Sequence, residues 1–146
     1  MIVGKILESR SREPVKAAPT ETAASVARLL SGKRRGFAVI CDVDDTLLGV
    51  LSVMDIVRAL GEHEAGAAAL PARDLMNTDF VACKPQDNVE DALKLMAARE
   101  IRHLPVVEEA RLVGVVNIRD LLEYRFEAAE RTSEELTKYI FSVGYR

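Results

Sequence analysis

The chain of 146 residues is poor in the side chains that hold metals, with two cysteines, Cys41 and Cys83, and two histidines, His63 and His103. Two cysteines alone do not make a metal site, so no metal is expected. Both are expected to fill strand positions as small apolar residues in a reduced compartment, with a disulfide as the minor alternative. A basic excess is also lacking. Lysine and arginine number 20 against 23 acidic residues, a net charge of −3. That balance argues against a nucleic-acid partner, whose affinity comes from a basic face. No apolar run approaches the roughly 20 residues of a membrane-spanning helix. The opening stretch, Met1-Ile2-Val3-Gly4-Lys5-Ile6-Leu7-Glu8, has no long apolar core of a secretion signal. A cytoplasmic protein without membrane contact is therefore expected.

What the chain does have is apolar residues, 49% of the total, and a duplication. The first implies a globular chain, and the length implies one unit with a shared core. The duplication is explicit. Leu47-Leu48-Gly49-Val50-Leu51-Ser52-Val53-Met54-Asp55-Ile56-Val57 returns as Leu112-Val113-Gly114-Val115-Val116-Asn117-Ile118-Arg119-Asp120-Leu121-Leu122. Upstream, Pro19 matches Pro85, Leu29 matches Leu95, and Ile40 matches Val106. Two copies of a long period are not a solenoid; they predict two motifs packed together with any ligand between them.

Each copy reads as β-α-β-β-α. In the first, residues 15–19 form an extended lead-in. Residues 20–30 form a helix capped by Thr20 or Thr22 and stopped at Ser31-Gly32. Residues 37–41 and 47–52 form an antiparallel hairpin, and 53–60 a helix. In the second, 80–85 is the lead-in, 89–99 a helix capped by Asp87 or Asn88, 103–107 and 112–117 the hairpin, and a last helix runs from near Ile118 to about Tyr139. Residues 61–72 read as a loose Gly/Ala-rich linker, after which Pro71 opens a helix over 72–76. The expected fold class is α/β (α+β), two such motifs related by a pseudo-twofold axis. The divisions are 1–14 (N-terminal helix or lead-in), 15–62 (motif one), 63–72 (linker), 73–125 (motif two) and 126–146 (C-terminal helical extension). Leu121, Leu122, Phe126, Leu136, Tyr139, Ile140 and Phe141 exceed the needs of a small core, which points to a homodimer through that helix, the alternative being a helix folded back on its own chain.

Gly-hydrophobic-x-Ser/Thr-x-x-Asp at a strand end leading into a helix resembles the signature of the cystathionine-β-synthase (CBS) motif. The chain has it as Gly49-Val50-Leu51-Ser52-Val53-Met54-Asp55, and again, with Asn for the hydroxyl residue, as Gly114-Val115-Val116-Asn117-Ile118-Arg119-Asp120. Ile101-Arg102-His103-Leu104-Pro105-Val106-Val107 resembles the family's second strand, and Arg73-Asp74-Leu75-Met76 with Val81 its second lead-in. The resemblance spans about residues 1–125 and is to a stand-alone tandem pair, the Bateman module. It implies a non-catalytic regulatory module that takes an adenosyl ligand (AMP, ADP, ATP or NAD(H)) and acts on an unidentified partner protein.

The chemistry of the motif agrees with such a ligand. The glycine is expected to let the ligand approach the backbone. Ser52 or Asn117 stands beside amides that meet a phosphate, and the Asp accepts two hydrogen bonds from ribose hydroxyls or simply caps the helix. The resemblance implies a cleft one of Ser52, Asp55, Val81, Ala82, Lys84, Arg102, His103 and Pro105. It implies a cleft two of Val15, Lys16, Ala17, Gly36, Phe37, Ala38, Asn117 and Asp120. Arg102 and His103 supply cations in cleft one, whereas Gly36 and Phe37 stand at the matching positions and leave cleft two to Lys16 or Lys33-Arg34-Arg35. Tighter nucleotide binding is expected in cleft one. Two other readings compete. Phe37-Ala38-Val39-Ile40-Cys41-Asp42-Val43-Asp44-Asp45-Thr46 is similar to the nucleophile loop of haloacid-dehalogenase-type phosphatases, with Asp42, Asp44 and Thr46 as catalytic groups. Its repeat counterpart, Glu108-Glu109-Ala110-Arg111, does the same turn without the motif, and no later metal-ligating segment follows. The third reading is an oligomerising adaptor with empty clefts.

Overall fold

The computed structural model describes residues 1–10 and 12–143. The first copy is led by helix α1 (Val3–Arg10) and contains β1 (Val15–Ala17), α2 (Ala23–Lys33), β2 (Phe37–Cys41), β3 (Leu47–Ser52) and α3 (Val53–His63). A 3₁₀ segment (Glu64–Ala69) and α4 (Ala72–Leu75) lead into α5 (Val89–Arg99), β4 (His103–Glu108), β5 (Arg111–Asn117) and α6 (Ile118–Val143). The architecture is mixed α/β with two small sheets. One has the order β1-β2-β3, β1 parallel and β3 antiparallel to β2; the other is the antiparallel pair β4-β5.

Local chemistry sets the helix ends. Thr22 Oγ1 accepts the Ser25 N–H at 3.1 Å and Asn88 Oδ1 the Glu90 N–H at 2.7 Å, which caps α2 and α5. Helix α2 does not stop at Ser31-Gly32. It runs to Lys33, and Arg34 takes the left-handed cap (φ 51°), its N–H meeting the Leu30 and Ser31 carbonyls. Glu100 does the same after α5 at φ 54°. Satisfying two orphan carbonyls offsets the ~1–2 kcal/mol of left-handed backbone in a residue with a Cβ.

Three further expectations are corrected. The second lead-in is no strand: Cys83 alone bridges to Val106, through Cys83 N–H to Pro105 O (2.9 Å) and Val107 N–H to Cys83 O (2.8 Å). Pro105 lacks the N–H that would extend the ladder back towards Val81. The loose linker is ordered, because its alanines continue helical backbone and Ala67 is small enough to be buried. Pro71 caps α4 as expected, but the last helix differs: α6 passes Tyr139 to Val143, and Leu121, counted among its surplus apolar residues, is buried because it faces the second copy's core.

Each copy's core is completed by a helix that precedes the other. Val3 and Ile6 of α1 are buried with Val89, Met96, Leu104, Val116 and Leu121 of the second copy, while Ala72 of α4 is buried with Val26, Ile40 and Leu51 of the first. The docking bonds match. Val3 and Gly4 donate to Asp87 O and Pro85 O, each at 2.8 Å; Ala72 and Arg73 donate to Glu21 O and Pro19 O at 2.7 and 3.0 Å. A third cluster joins the sheets: Val39, Cys41 and Leu47 pack with Val50, Val107, Leu112 and Val115, and the hairpin tips bond through Leu47 N–H to Ala110 O and Leu112 N–H to Asp45 O.

Candidate functional site

The two motif aspartates stand where a strand passes straight into a helix. In the first copy, Ser52 Oγ accepts the Asp55 N–H at 3.4 Å. Asp55 Oδ2 in return accepts the Ser52 N–H at 2.8 Å and its O–H at 3.0 Å. One carboxylate oxygen is thereby committed to the helix start, and the other, Oδ1, meets Arg58 at 3.3 Å. In the second copy Asn117 Oδ1 accepts the Asp120 N–H at 2.8 Å, and among the described residues no return bond from the carboxylate reaches the Asn117 backbone. Each helix start also leans on the other hairpin strand, Val53 N–H to Gly36 O (3.0 Å) and Ile118 N–H to Arg102 O (2.8 Å).

The motif glycines have a different role from the one their position suggested. Neither has a positive φ, and the space above each is filled by the chain itself. A Cβ on Gly49 would lie 2.6 Å from Met76 Sδ, and one on Gly114 2.9 Å from Leu7 Cδ2. The glycines make room for the helices that lock the copies together, not for a ligand.

Two clefts open between the copies. Cleft one, about 630 Å³, brings together Ser52, Asp55, Val81, Arg102, His103 and Pro105. Ala82 and Lys84 do not line it; the Lys84 N–H is turned to Asp87 Oδ2 at 2.8 Å. Sequence reasoning missed the apolar wall of Val50, Met54, Phe80 and Ile101, and the polar Asn77, Asp79, Arg99 and Glu100. Phe80 lay in the extended lead-in and Met54 inside the motif, so both were signalled by position. Cleft two, about 380 Å³, gathers Val15, Gly36, Phe37, Asn117 and Asp120. Ala17 and Ala38 are buried in the core instead. Lys16 turns away, its Nζ bonded to Asp45 Oδ1 at 2.6 Å. Its cations are Arg34 and Arg35, which the sequence had offered only as nearby, with Arg12 and Arg119, which it missed. Pro14, Val115 and Glu123 complete the wall.

The clefts share a partition. The Phe37 and His103 rings stack with centroids 4.8 Å apart and planes 5° from parallel, and both residues line both clefts. Phe37 pairs with Ser52 and His103 with Asn117 across their hairpins, which puts the rings beside the two helix starts. Burial, then Arg35 and Arg102, hold the His103 imidazole below its ordinary pKa. The ring is thus biased to the neutral form that stacks without electrostatic penalty among the arginines.

The acidic loop after β2 is a turn built on its own carboxylate. Asp42 Oδ1 accepts the Asp44 and Thr46 N–H groups, each at 2.9 Å, and Asp45 sits at φ 62°. A carboxylate so engaged is a loop former rather than a poised nucleophile. Cys41 and Cys83 are free and buried, and burial pushes their thiols up to about 11 and about 12.

The CBS domain model matches residues 3–62 and 72–127. The chain belongs to the CBS domain family. The CBS-domain containing protein ATU1752 from Agrobacterium tumefaciens superposes with a TM-score of 0.77 at 26% identity, covering 86% of this chain and 99% of that one. The CBS domain protein PAE2072 from Pyrobaculum aerophilum, solved in complex with AMP, is 32% identical with a TM-score of 0.72, covering 82% and 89%. An inosine-5'-monophosphate dehydrogenase of Halobacterium salinarum is 36% identical over 113 residues, 76% of this chain but only 22% of that enzyme. CBS pairs therefore occur both alone and within longer proteins, and both clefts described above lie inside the matched residues.

Proposed function

We propose that this CBS pair is a non-catalytic regulatory module that binds adenosyl nucleotides in its two clefts and passes their occupancy to a partner protein. The observation that carries this reading is the pairing of two strand-to-helix junctions, each with a carboxylate in the first helical turn, around one stacked aromatic partition. A ribose diol suits such a carboxylate, and an adenine suits the apolar wall of Val50, Phe80, Val81 and Ile101 in cleft one. The AMP bound by the 32% identical relative supports the same ligand class. Among the described residues no helix is long and apolar enough to cross a membrane.

The output surface is helix α6, and its occupant is a second copy of this chain. Leu122, Phe126, Leu136 and Ile140 are exposed, and with Ala129 and Ser133 they alternate steps of four and three along one face. That alternation is the pattern of a helix that packs against another of its own kind, and Arg125 beside the stripe is held by Glu90 of its own chain at 3.5 Å. Ligand bridging the two copies would then alter the rigidity of the root of α6, where Asp120 lines cleft two.

Calorimetric titration of AMP, ATP, NAD⁺, NADH and S-adenosylmethionine into wild type, Asp55→Ala and Asp120→Ala tests the ligand. Saturable binding of an adenosyl compound, weakened by either substitution, is expected. No binding by any of them to a folded wild type would refute the reading and favour an adaptor. Light scattering tests the dimer: wild type is expected at twice the chain mass and Leu136→Glu/Ile140→Glu at one. A wild-type monomer at about 100 μM, a concentration at which a specific dimer would form, overturns it.

A further inference from the structure

The pseudo-twofold axis repeats the backbone of the two clefts but inverts their charge. Arg34 and Glu100 are equivalent positions, each the left-handed cap after its helix, and each lines its own cleft. Arg35 is matched by Ile101 and Arg119 by Met54. The wall of cleft two carries Arg12, Arg34, Arg35 and Arg119 against Asp120 and Glu123. That of cleft one carries Arg99 and Arg102 against Asp55, Asp79 and Glu100, with Met54, Phe80 and Ile101 as apolar surface. On a chain of net charge −3, cleft two is a local concentration of positive potential. Among the described residues, neither Arg34 nor Arg35 meets a carboxylate within ion-pair distance, whereas Arg119 Nε is held by Glu123 Oε1 at 3.1 Å.

The geometry points to a division of ligands, resting on the adenosyl reading above: cleft two takes a nucleoside di- or triphosphate, and cleft one takes an adenosyl group bearing one phosphate or none. A polyphosphate chain needs guanidinium donors arrayed along it, and in cleft two the turn after α2 supplies Arg34 and Arg35, with Arg12 before β1 and Arg119 in the first turn of α6 on the same wall. Asp120 at the same helix start is left for the ribose. In cleft one the equivalent carboxylate of Glu100 and the neighbouring Asp79 would repel such a chain, while the larger apolar wall favours the uncharged part of the ligand. This reverses the ranking expected from Arg102 and His103, which took Arg34 and Arg35 only as a nearby alternative to Lys16 and left out Arg12 and Arg119.

The test is a charge exchange between equivalent caps. Glu100 shows that glutamate adopts the left-handed cap, so Arg34→Glu keeps the fold's requirement at that site. Adenosine, AMP, ADP and ATP are titrated by calorimetry into wild type, Arg34→Glu, Glu100→Arg, Asp55→Ala and Asp120→Ala, with thermal melting as the folding control. Wild type is expected to prefer ATP over AMP by about tenfold or more at the site lost in Asp120→Ala, the scale of one charge-assisted bond. Arg34→Glu is expected to reduce that preference to about threefold or less, and Glu100→Arg to raise ATP affinity at the site lost in Asp55→Ala. Should Arg34→Glu melt early, the salt dependence of wild type serves: raising NaCl from about 0.05 to about 0.3 M should weaken ATP at cleft two and spare adenosine. ATP and AMP binding alike, or an ATP preference that tracks Asp55, overturns the division while leaving the adenosyl reading intact. Failure of adenosine, AMP and ATP alike to bind overturns the adenosyl reading itself.

Discussion

Replacing Gly49 with alanine tests whether the motif glycine serves the lock between copies. The new Cβ would stand 2.6 Å from Met76 Sδ, 2.8 Å from Met76 Cγ and 3.1 Å from Asn77 O. Met76 is flexible and moves aside at modest cost, but Asn77 O is backbone and accepts the Val50 N–H at 3.0 Å, while the Asn77 N–H returns to Val50 O at 2.7 Å. Pushing that pair apart falls in the ~1–3 kcal/mol range of overpacked cores, offset by about 0.5–1 kcal/mol from removing a strand glycine. The net loss is about 1–2 kcal/mol, a Tm drop of roughly 3–7 °C for a chain of this size. Gly114→Ala meets only the end of the Leu7 side chain, at 2.9 Å, and should lose under about 1 kcal/mol. Thermal and urea unfolding of both variants give the comparison, and a Gly49→Ala/Met76→Ala cycle should show coupling of about 1 kcal/mol. A Gly49→Ala protein melting within about 1 °C of wild type, or a larger loss for Gly114→Ala, would refute the packing argument.

Three further outcomes follow from the same geometry. Asp55→Asn should lower stability by about 1 kcal/mol through its capping box, whereas Asp120→Asn, whose carboxylate makes no return bond, should melt close to wild type; equal losses in urea unfolding would contradict this. His103 has a lowered pKa, so below its usual value near 6.5 the unfolded chain binds the proton more readily, and stability should fall as pH drops from about 6.5 towards 5. His103→Phe should flatten that part of the pH–stability curve; an unchanged slope would show that another group is responsible. Cys41 and Cys83, with thiols pushed up to about 11 and about 12, should resist Ellman's reagent at pH 8 until the protein is unfolded, and rapid labelling of the native chain would be the opposite result.

Periodicity and duplication carried most of the fold. Residues 37–41, 47–52 and 89–99 stand where alternation, helical spacing and caps put them. Readings that depended on one residue's local backbone went astray: Gly32 looked like a stop, yet the helix continues to an arginine cap, and the missing N–H of Pro105 shortened a strand that composition alone supports. The clefts were legible only as far as the repeat could be aligned. Ser52, Asp55, Asn117 and Asp120 lie in matched motif positions and line their clefts; Arg12 and Asn77 come from segments with no periodic signal and enter only through the tertiary path of α1 and α4. Lys16 was lost for another reason. Its side chain alternates to the exposed edge of β1, where Asp45 is nearer than the cleft.

The crossed helices have a consequence for how this chain can come apart. Removing residues 1–10 would strip a lid from the half of the protein most distant in sequence, because Val3 and Ile6 seal the core around Met96 and Leu121. Neither repeat, cut out at its own boundaries, carries the helix that closes it. The two halves are clasped like a buckle and should melt in one transition, so a molecule bridging the clefts tightens the entire chain rather than one lobe. The same connectivity gives chains in high concentration a ready exchange, with one molecule's α1 seated on its neighbour's second repeat.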